Sequence, residues 1–145
     1  MNLLFVTSPG PSSLLIRAFE GGLSSHVGIL HDNTVIDTTF RHGVRSWSIE
    51  EFNKHHTIIT NISFKVPNEE LGIQFLKAQI GKPYDWTALA GFLMWRDWSE
   101  TDSWYCSELA IAMAIASGKR LIDKPNRIGV RMAHELAYAW SQGIL

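Results

Sequence analysis

The sequence contains a single cysteine, and this scarcity excludes two common kinds of small protein. One thiol cannot form an internal disulfide framework, and it cannot support a zinc site built on paired cysteines. An excess of one charge is also lacking, because 13 Lys and Arg stand against 14 Asp and Glu, giving a formal net charge of -1. Without a basic surface to attract a polyanion, we expect no nucleic-acid partner.

Long hydrophobic runs are absent as well. The longest apolar stretch, residues 86–95, falls well short of the roughly twenty residues that span a bilayer. Residues 1–6 are apolar but carry no basic n-region and run into a Pro/Gly turn, which favours a first strand over a signal peptide. We therefore expect no stable membrane insertion, and either a cytoplasmic location or delivery by a non-Sec route such as a phage particle, lysis or a secretion system.

The remaining composition is that of an ordinary globular protein. Hydrophobic residues make up 46% and charged residues 19% of the 145 residues, which fits one domain over residues 1–145. Residue patterns predict strands mainly in the first half and helices mainly in the second, which favours the α+β class. The predicted strands cover residues 2–7, 26–30, 34–39 and 57–66, and the predicted helices cover 12–20, 49–55, 69–79, 86–95, 107–117 and 132–142.

Two local patterns support particular elements of this prediction, one hairpin and one helix. Residues 26–30 and 34–39 are β-rich and flank a tight Asp-Asn connection, which predicts a hairpin. In the helix over residues 12–20, an apolar face is expected from Leu14, Leu15, Ala18 and Phe19.

The single cysteine, Cys106, immediately precedes an Ala-rich helical pattern. Free amides and the helix dipole at such an N-terminus favour a thiolate, and the same amides could hold an oxyanion. Cysteine is also among the residues most often buried without a chemical role. The position alone therefore leaves two interpretations open, a reactive nucleophile and an inert core residue.

A thiolate nucleophile needs a base within hydrogen-bond reach, and the sequence has six histidines. His26 is the best candidate, since it opens a predicted strand and its ring would project from a rigid sheet. His31 falls at the hairpin turn, and His55 and His56 end a short surface helix, where polar residues need no function. A metal site made from His26, His31 and His42 lacks a helical histidine pair or cysteine support, so we expect no metal.

Asp37 is a candidate third member of a catalytic triad. It lies on the strand that follows His26, and adjacent antiparallel strands place such side chains roughly 5–8 Å apart on one face. Its carboxylate could bind the second nitrogen of the His26 ring and fix its tautomer. A solvated strand-end Asp explains the residue equally well, and His42 is the alternative orienting group.

Three segments in this order resemble the NlpC/P60 superfamily. Residues 25–30 (SHVGIL), followed by 35–37 (VID) and 43–44 (GV), are similar to its histidine strand and the next strand. Residues 81–86 (GKPYDW) and 105–109 (YCSEL) are similar to its Gly-x-Pro-Tyr stretch and its cysteine helix. Because the cysteine helix follows the sheet here, the order matches the circularly permuted branch, which includes YiiX-like and YaeF-like proteins and relatives of lecithin retinol acyltransferase.

The resemblance implies a permuted papain-like fold and acyl transfer by a Cys106–His26–Asp37 triad. It also implies that Tyr84 and Tyr105 assist in holding the oxyanion or the substrate, and that no cofactor is needed. The expected substrate is first a cell-wall peptide amide, such as a peptidoglycan stem, and second an acyl lipid. We favour the polar amide because charged residues interrupt the predicted helix faces near the nucleophile: Arg96, Asp97, Glu100 and Asp102. A non-enzymatic binding or assembly module of the same fold is the rival from another class.

Overall fold

A computed structural model describes residues 1–87, 102–119 and 128–144 of the chain, and these residues form a five-stranded antiparallel sheet with five helices. The strand order is β4-β3-β2-β1-β5. The strands are β1 (Asn2–Thr7), β2 (His26–His31), β3 (Thr34–Thr39), β4 (Gly43–Ser48) and β5 (Thr57–Ser63). The helices are α1 (Pro11–Glu20), α2 (Ile49–His55), α3 (Glu69–Gln79), α4 (Cys106–Ala116) and α5 (Val130–Ser141).

This architecture confirms the α+β class. The predicted hairpin is present as β2 and β3, which pair antiparallel with Ile29 opposite Ile36. Strand β4 was not predicted, and β5 ends three residues earlier than expected. Most of the helix expected over residues 86–95 lies outside the described residues. In the described ranges no helix has the length and hydrophobicity needed to cross a bilayer.

Two helix starts follow directly from their capping residues. The Ser48 hydroxyl accepts a hydrogen bond from the amide of Glu51 at 3.2 Å, and α2 begins at the next residue. The Asn68 side chain accepts one from the amide of Leu71 at 3.1 Å, and α3 begins at Glu69. The caps thus fix where the chain turns from sheet to helix.

The sheet is covered on both faces. One face, with Val27, Ile29 and Ile36, packs in a large core with α3, α4 and α5. The other face forms a smaller cluster around Phe52 of α2, together with Leu4, Val6 and Val35. His26 lies opposite Val6 in the β1–β2 register and therefore belongs to the α2 face, at the end of its strand.

The apolar face expected for α1 is not the face that the helix buries. Leu14 and Leu15 are 61% and 59% exposed, and Phe19 is also exposed, whereas Ser13 is buried. The reason is a hydroxyl network: the Ser13 Oγ lies 2.7 Å from the Ser25 Oγ and 3.1 Å from the Thr7 Oγ1. Polar contacts rather than apolar periodicity set the orientation of this helix.

A close backbone contact at Gly43 joins β4 to the loop that carries Tyr84. Gly43 has φ 61°, and a Cβ built there would lie 2.1 Å from the carbonyl oxygen of Lys82. The same carbonyl accepts a hydrogen bond from the Val44 amide at 2.8 Å, and the Gly81 amide donates back to Val44. Only glycine combines this left-handed conformation with so close an approach.

We expect Gly43→Ala to lower the free energy of unfolding by about 2–4 kcal/mol, because it adds an overpacking cost to the left-handed backbone cost. Gly81→Ala is the matched control, since Gly81 has φ 92° but no atom within 4 Å of a built Cβ. That control should lose only about 1–2 kcal/mol. Urea unfolding measures both, and equal losses would mean that the contact with Lys82 is not restrictive.

Candidate active site

Cys106 is the first residue of α4, and its side chain is buried, with 3% of the residue exposed. The first amides of a helix have no intrahelical partner, so they can stabilise negative charge at this position. The adjacent Ser107 hydroxyl donates to the carbonyl of Ile128, which ties the start of α4 to the segment before α5. The predicted location at a helix N-terminus is therefore present.

His26 and Asp37 meet on the α2 face of the sheet. The Nε2 of His26 lies 2.8 Å from the Oδ2 of Asp37, and Asp37 is fully buried. Cys106 lines the same cleft as His26, and its charge is among the causes that raise the pKa of the His26 imidazole. Because Nε2 is bonded to Asp37, Nδ1 is the ring nitrogen left free for a thiol. The structure thus brings the three sequence-predicted residues close together, with a hydrogen bond joining His26 to Asp37.

Two residues of β4 hold the second oxygen of Asp37. The indole Nε1 of Trp47 donates to Oδ1 at 2.7 Å, and the Nε of Arg45 lies 3.9 Å from the same oxygen. The Arg45 guanidinium stacks 3.3 Å from the centre of the Trp47 ring. A buried carboxylate needs such partners, because burial of an unpaired charge is costly. Neither residue is predicted from the sequence, because β4 itself is not predicted.

The charges around His26 favour its protonated form. Burial by itself lowers the pKa of His26, but the Cys106 thiolate and the Asp37 carboxylate outweigh it and raise the pKa to about 10. His26 is therefore protonated near neutral pH. An imidazolium held beside a thiolate can later give its proton to a leaving group.

A small cleft of about 120 Å³ opens onto these residues. Its walls come from α1 and the residues before it, from the ends of β2 and β3, from His56 after α2, from Tyr84 after α3 and from the start of α4. The described residues that line it carry hydroxyl, aromatic or imidazole groups, an aliphatic chain or the thiol, and none is Asp, Glu, Lys or Arg: Ser8, Ser12, Ser13, Ile16, Ser25, His26, Thr38, Thr39, Phe40, His56, Tyr84 and Cys106. The thiol of Cys106 therefore lies at a cleft whose described walls carry no Asp, Glu, Lys or Arg.

Tyr84 lies in the cleft, while Tyr105 packs behind it. Backbone bonds join the Tyr84 loop to the residue before Tyr105, with the Asp85 amide donating to the Trp104 carbonyl at 3.1 Å. Burial and the charge on Cys106 raise the pKa of Tyr84 well above its usual value, so its hydroxyl remains a donor. Tyr105 is buried, is not among the described cleft residues, and stacks edge-on to Tyr84 at 5.9 Å.

The structure corrects the expectation for His56. It is half-buried rather than exposed, its ring stacks on that of His26 with centroids 5.4 Å apart, and it lines the cleft. Its neighbour His55 is exposed and bonds to Glu51, as expected for a surface helix. His42, the alternative partner for His26, is exposed, and Asp37 makes the contact instead.

The remaining histidines lie apart from the cleft. The Nδ1 of His31 lies 3.2 Å from Glu69, and His134 packs edge-on against Phe5 at 4.8 Å. The group expected for a metal rival, His26 with His31 and His42, is not brought together in the described structure. Donor atoms of His26, Asp37 and His56 do lie within 4.8 Å of one another, but hydrogen bonds and ring stacking among these side chains account for that closeness.

No family model matches the sequence, and neither a curated protein nor a solved structure matches it.

Proposed function

We propose that this chain is a cysteine hydrolase with a permuted papain-like fold, acting on an amide bond of a peptide such as a peptidoglycan stem. The observation that carries the proposal is that Cys106 and His26 line one cleft while His26 is hydrogen-bonded to the buried Asp37. A thiol, an imidazole and an orienting carboxylate in this order are the parts that covalent acyl transfer requires. The sheet strands that carry His26 and Asp37 precede the cysteine helix, which is the permuted order.

In the first half of the proposed reaction, the Cys106 thiolate attacks the substrate carbonyl carbon. The carbonyl oxygen becomes an oxyanion, held by the Cys106 backbone amide and the Tyr84 hydroxyl. The tetrahedral intermediate collapses as the C–N bond breaks, and the His26 imidazolium gives its proton to the leaving amine. The products are a free amine, a neutral His26 and a thioester on Cys106.

In the second half, water attacks the thioester carbonyl while His26 takes one of its protons. The C–S bond breaks, a carboxylic acid leaves, and the thiolate–imidazolium pair is restored. Asp37 keeps its negative charge throughout and stabilises the imidazolium whenever it forms. Neither half requires a cofactor.

A second candidate function is transfer or hydrolysis of an acyl ester by the same residues. The observation in its favour is α1, which supplies Ile16 to the cleft and also exposes Leu14 and Leu15. The charged residues on which the preference for a polar amide rests give little evidence against an acyl ester. Arg96, Asp97 and Glu100 lie outside the described residues, and Asp102 is an exposed partner of Lys82 at 3.6 Å.

Incubation with two substrate classes tests the proposal. Purified protein is mixed in parallel with peptidoglycan stem fragments and with short-chain and long-chain acyl esters, and Cys106→Ala serves as the blank. We expect new amine from the fragments with the wild type and none with the blank. Mass spectrometry of the intact protein reports an acyl group on Cys106.

The other outcomes separate the rivals. Cysteine-dependent acylation by long-chain esters, without cleavage of any peptide, would replace the amidase proposal by the acyl-ester function. Tight binding of fragments that is equal for wild type and Cys106→Ala, with no turnover, would favour a binding module.

A further inference from the structure

We propose that His56 is a positioning residue for His26: its ring, stacked on the imidazole of His26, holds that imidazole in the plane from which it reaches Cys106. The inference rests on the proposed function, since it assigns a role in that site. His56 contacts the base rather than the thiol, so its effect on chemistry is indirect.

Three rings form a continuous stack that begins in the core. Phe52, which is fully buried, lies against His56 with centroids 4.3 Å apart and planes at 29°. His56 lies against His26 at 5.4 Å and 23°. Trp47 packs edge-on to both Phe52 and His56, at 5.7 Å and 5.8 Å. The stack thus connects Phe52 in the core, through His56, to one face of the His26 ring.

The stack restrains a motion that the hydrogen bond to Asp37 leaves free. One hydrogen bond at Nε2 fixes a single point of the ring, and the imidazole can still tilt about that point. A flat ring against its face opposes the tilt. The Ser8 hydroxyl, 2.7 Å from the Nδ1 of His56, in turn fixes the rotation of the His56 ring.

A glycine in β2 provides the space that the stack needs. A Cβ built at Gly28 would lie 2.8 Å from a Val35 methyl and 3.2 Å from the Cζ of Phe52. Any side chain at this position would displace Phe52 from the strand, and the stacked rings of His56 and His26 would shift with it. Gly28 lies two residues after His26, so the space opens beside the base itself.

The charges that face His56 favour its neutral form. Burial, followed by the charge on His26, lowers the pKa of His56 to about 4, and His55 and Arg45 act in the same direction. The Asp37 carboxylate opposes them but does not prevail. A neutral ring can stack on an imidazolium, whereas a second imidazolium would repel it. The stack therefore holds near neutral pH and weakens toward pH 4.

Alkylation of Cys106 by iodoacetamide, followed by mass spectrometry from pH 3.5 to pH 8, tests the inference. We expect His56→Ala to slow alkylation at pH 6 by roughly 10- to 100-fold, because small displacements of a catalytic group cost this much. His56→Phe keeps a flat ring that cannot become charged, so it should restore most of the rate. In His56→Phe the decline of the rate near pH 4 should move to lower pH.

The control is His55→Ala, which removes the exposed neighbouring imidazole and should leave the rate unchanged. Wild-type protein that fails to react at pH 6 would refute the proposed function itself. A reactive wild type with an equal rate in His56→Ala would overturn only the role of His56. If His56→Ala does not fold, the test is the comparison of wild type with His56→Phe. An identical decline of the alkylation rate near pH 4 in these two proteins would overturn the inference.

Discussion

Replacing His26 by Ala will slow alkylation of Cys106 by iodoacetamide at pH 6 by about 100-fold or more. A free thiol with a pKa of about 8.5 is thiolate in only roughly 0.3% of molecules at pH 6. The pKa of His26 is raised to about 10, so its ring is an imidazolium at pH 6, and we expect this positive charge to attract the reacting sulfur. The measurement is the rate of mass gain on Cys106 at pH 5 to 9.

Two comparisons make this result specific. His42→Ala removes an exposed histidine and should leave the rate as it is in the wild type. A wild-type rate that falls on acidification as a free thiol does, together with an unchanged rate in His26→Ala, would rule out the Cys106–His26 pair.

Asp37→Asn should reduce turnover by up to about 10⁴-fold, less than the loss in Cys106→Ala or His26→Ala, because an orienting group makes no bond to substrate. The substitution retains the shape of the side chain, and its amide oxygen can still accept from Trp47. Its amide nitrogen then faces the Nε2 of His26, where a donor opposes the imidazolium. The measurement is kcat with whichever substrate proves active.

The order of the effects is the test. A loss equal to that of Cys106→Ala, with a lowered melting temperature, would mean that Asp37 supports the fold rather than the reaction. His42→Ala is the paired control, and a larger loss in that variant than in Asp37→Asn would assign the orienting role to His42.

The strands and helix starts that the sequence predicted correctly depend on interactions close together in the chain. The β2–β3 hairpin follows from a tight turn, and the helix starts at Ser48 and Asn68 follow from side chains three residues from the amides they bind. Strand β4 was not predicted, because its sequence contains Arg45, Ser46 and Trp47 where a run of β-branched residues would have indicated a strand. Its pairing with β3 and its contact with Lys82 are tertiary and leave no local pattern.

For the candidate site, the sequence predicted the three residues of the proposed triad but not the residues that contact and orient them. Cys106 was marked by its uniqueness and its helix, and His26 and Asp37 by the hairpin. Trp47 and His56 act on these residues through ring contacts and a buried hydrogen bond. Such contacts depend on how α2 packs on the sheet, and this packing cannot be predicted from residue type and spacing.

The place of Cys106 in the chain has a consequence for biosynthesis. The strands that carry His26 and Asp37 leave the ribosome long before the helix that begins at Cys106. Until that helix packs on the sheet, the thiol has no imidazole beside it. If His26 activates Cys106 as proposed, thiol reactivity at pH 6 reports completed folding, and a brief iodoacetamide pulse during translation will label finished molecules in preference to nascent ones.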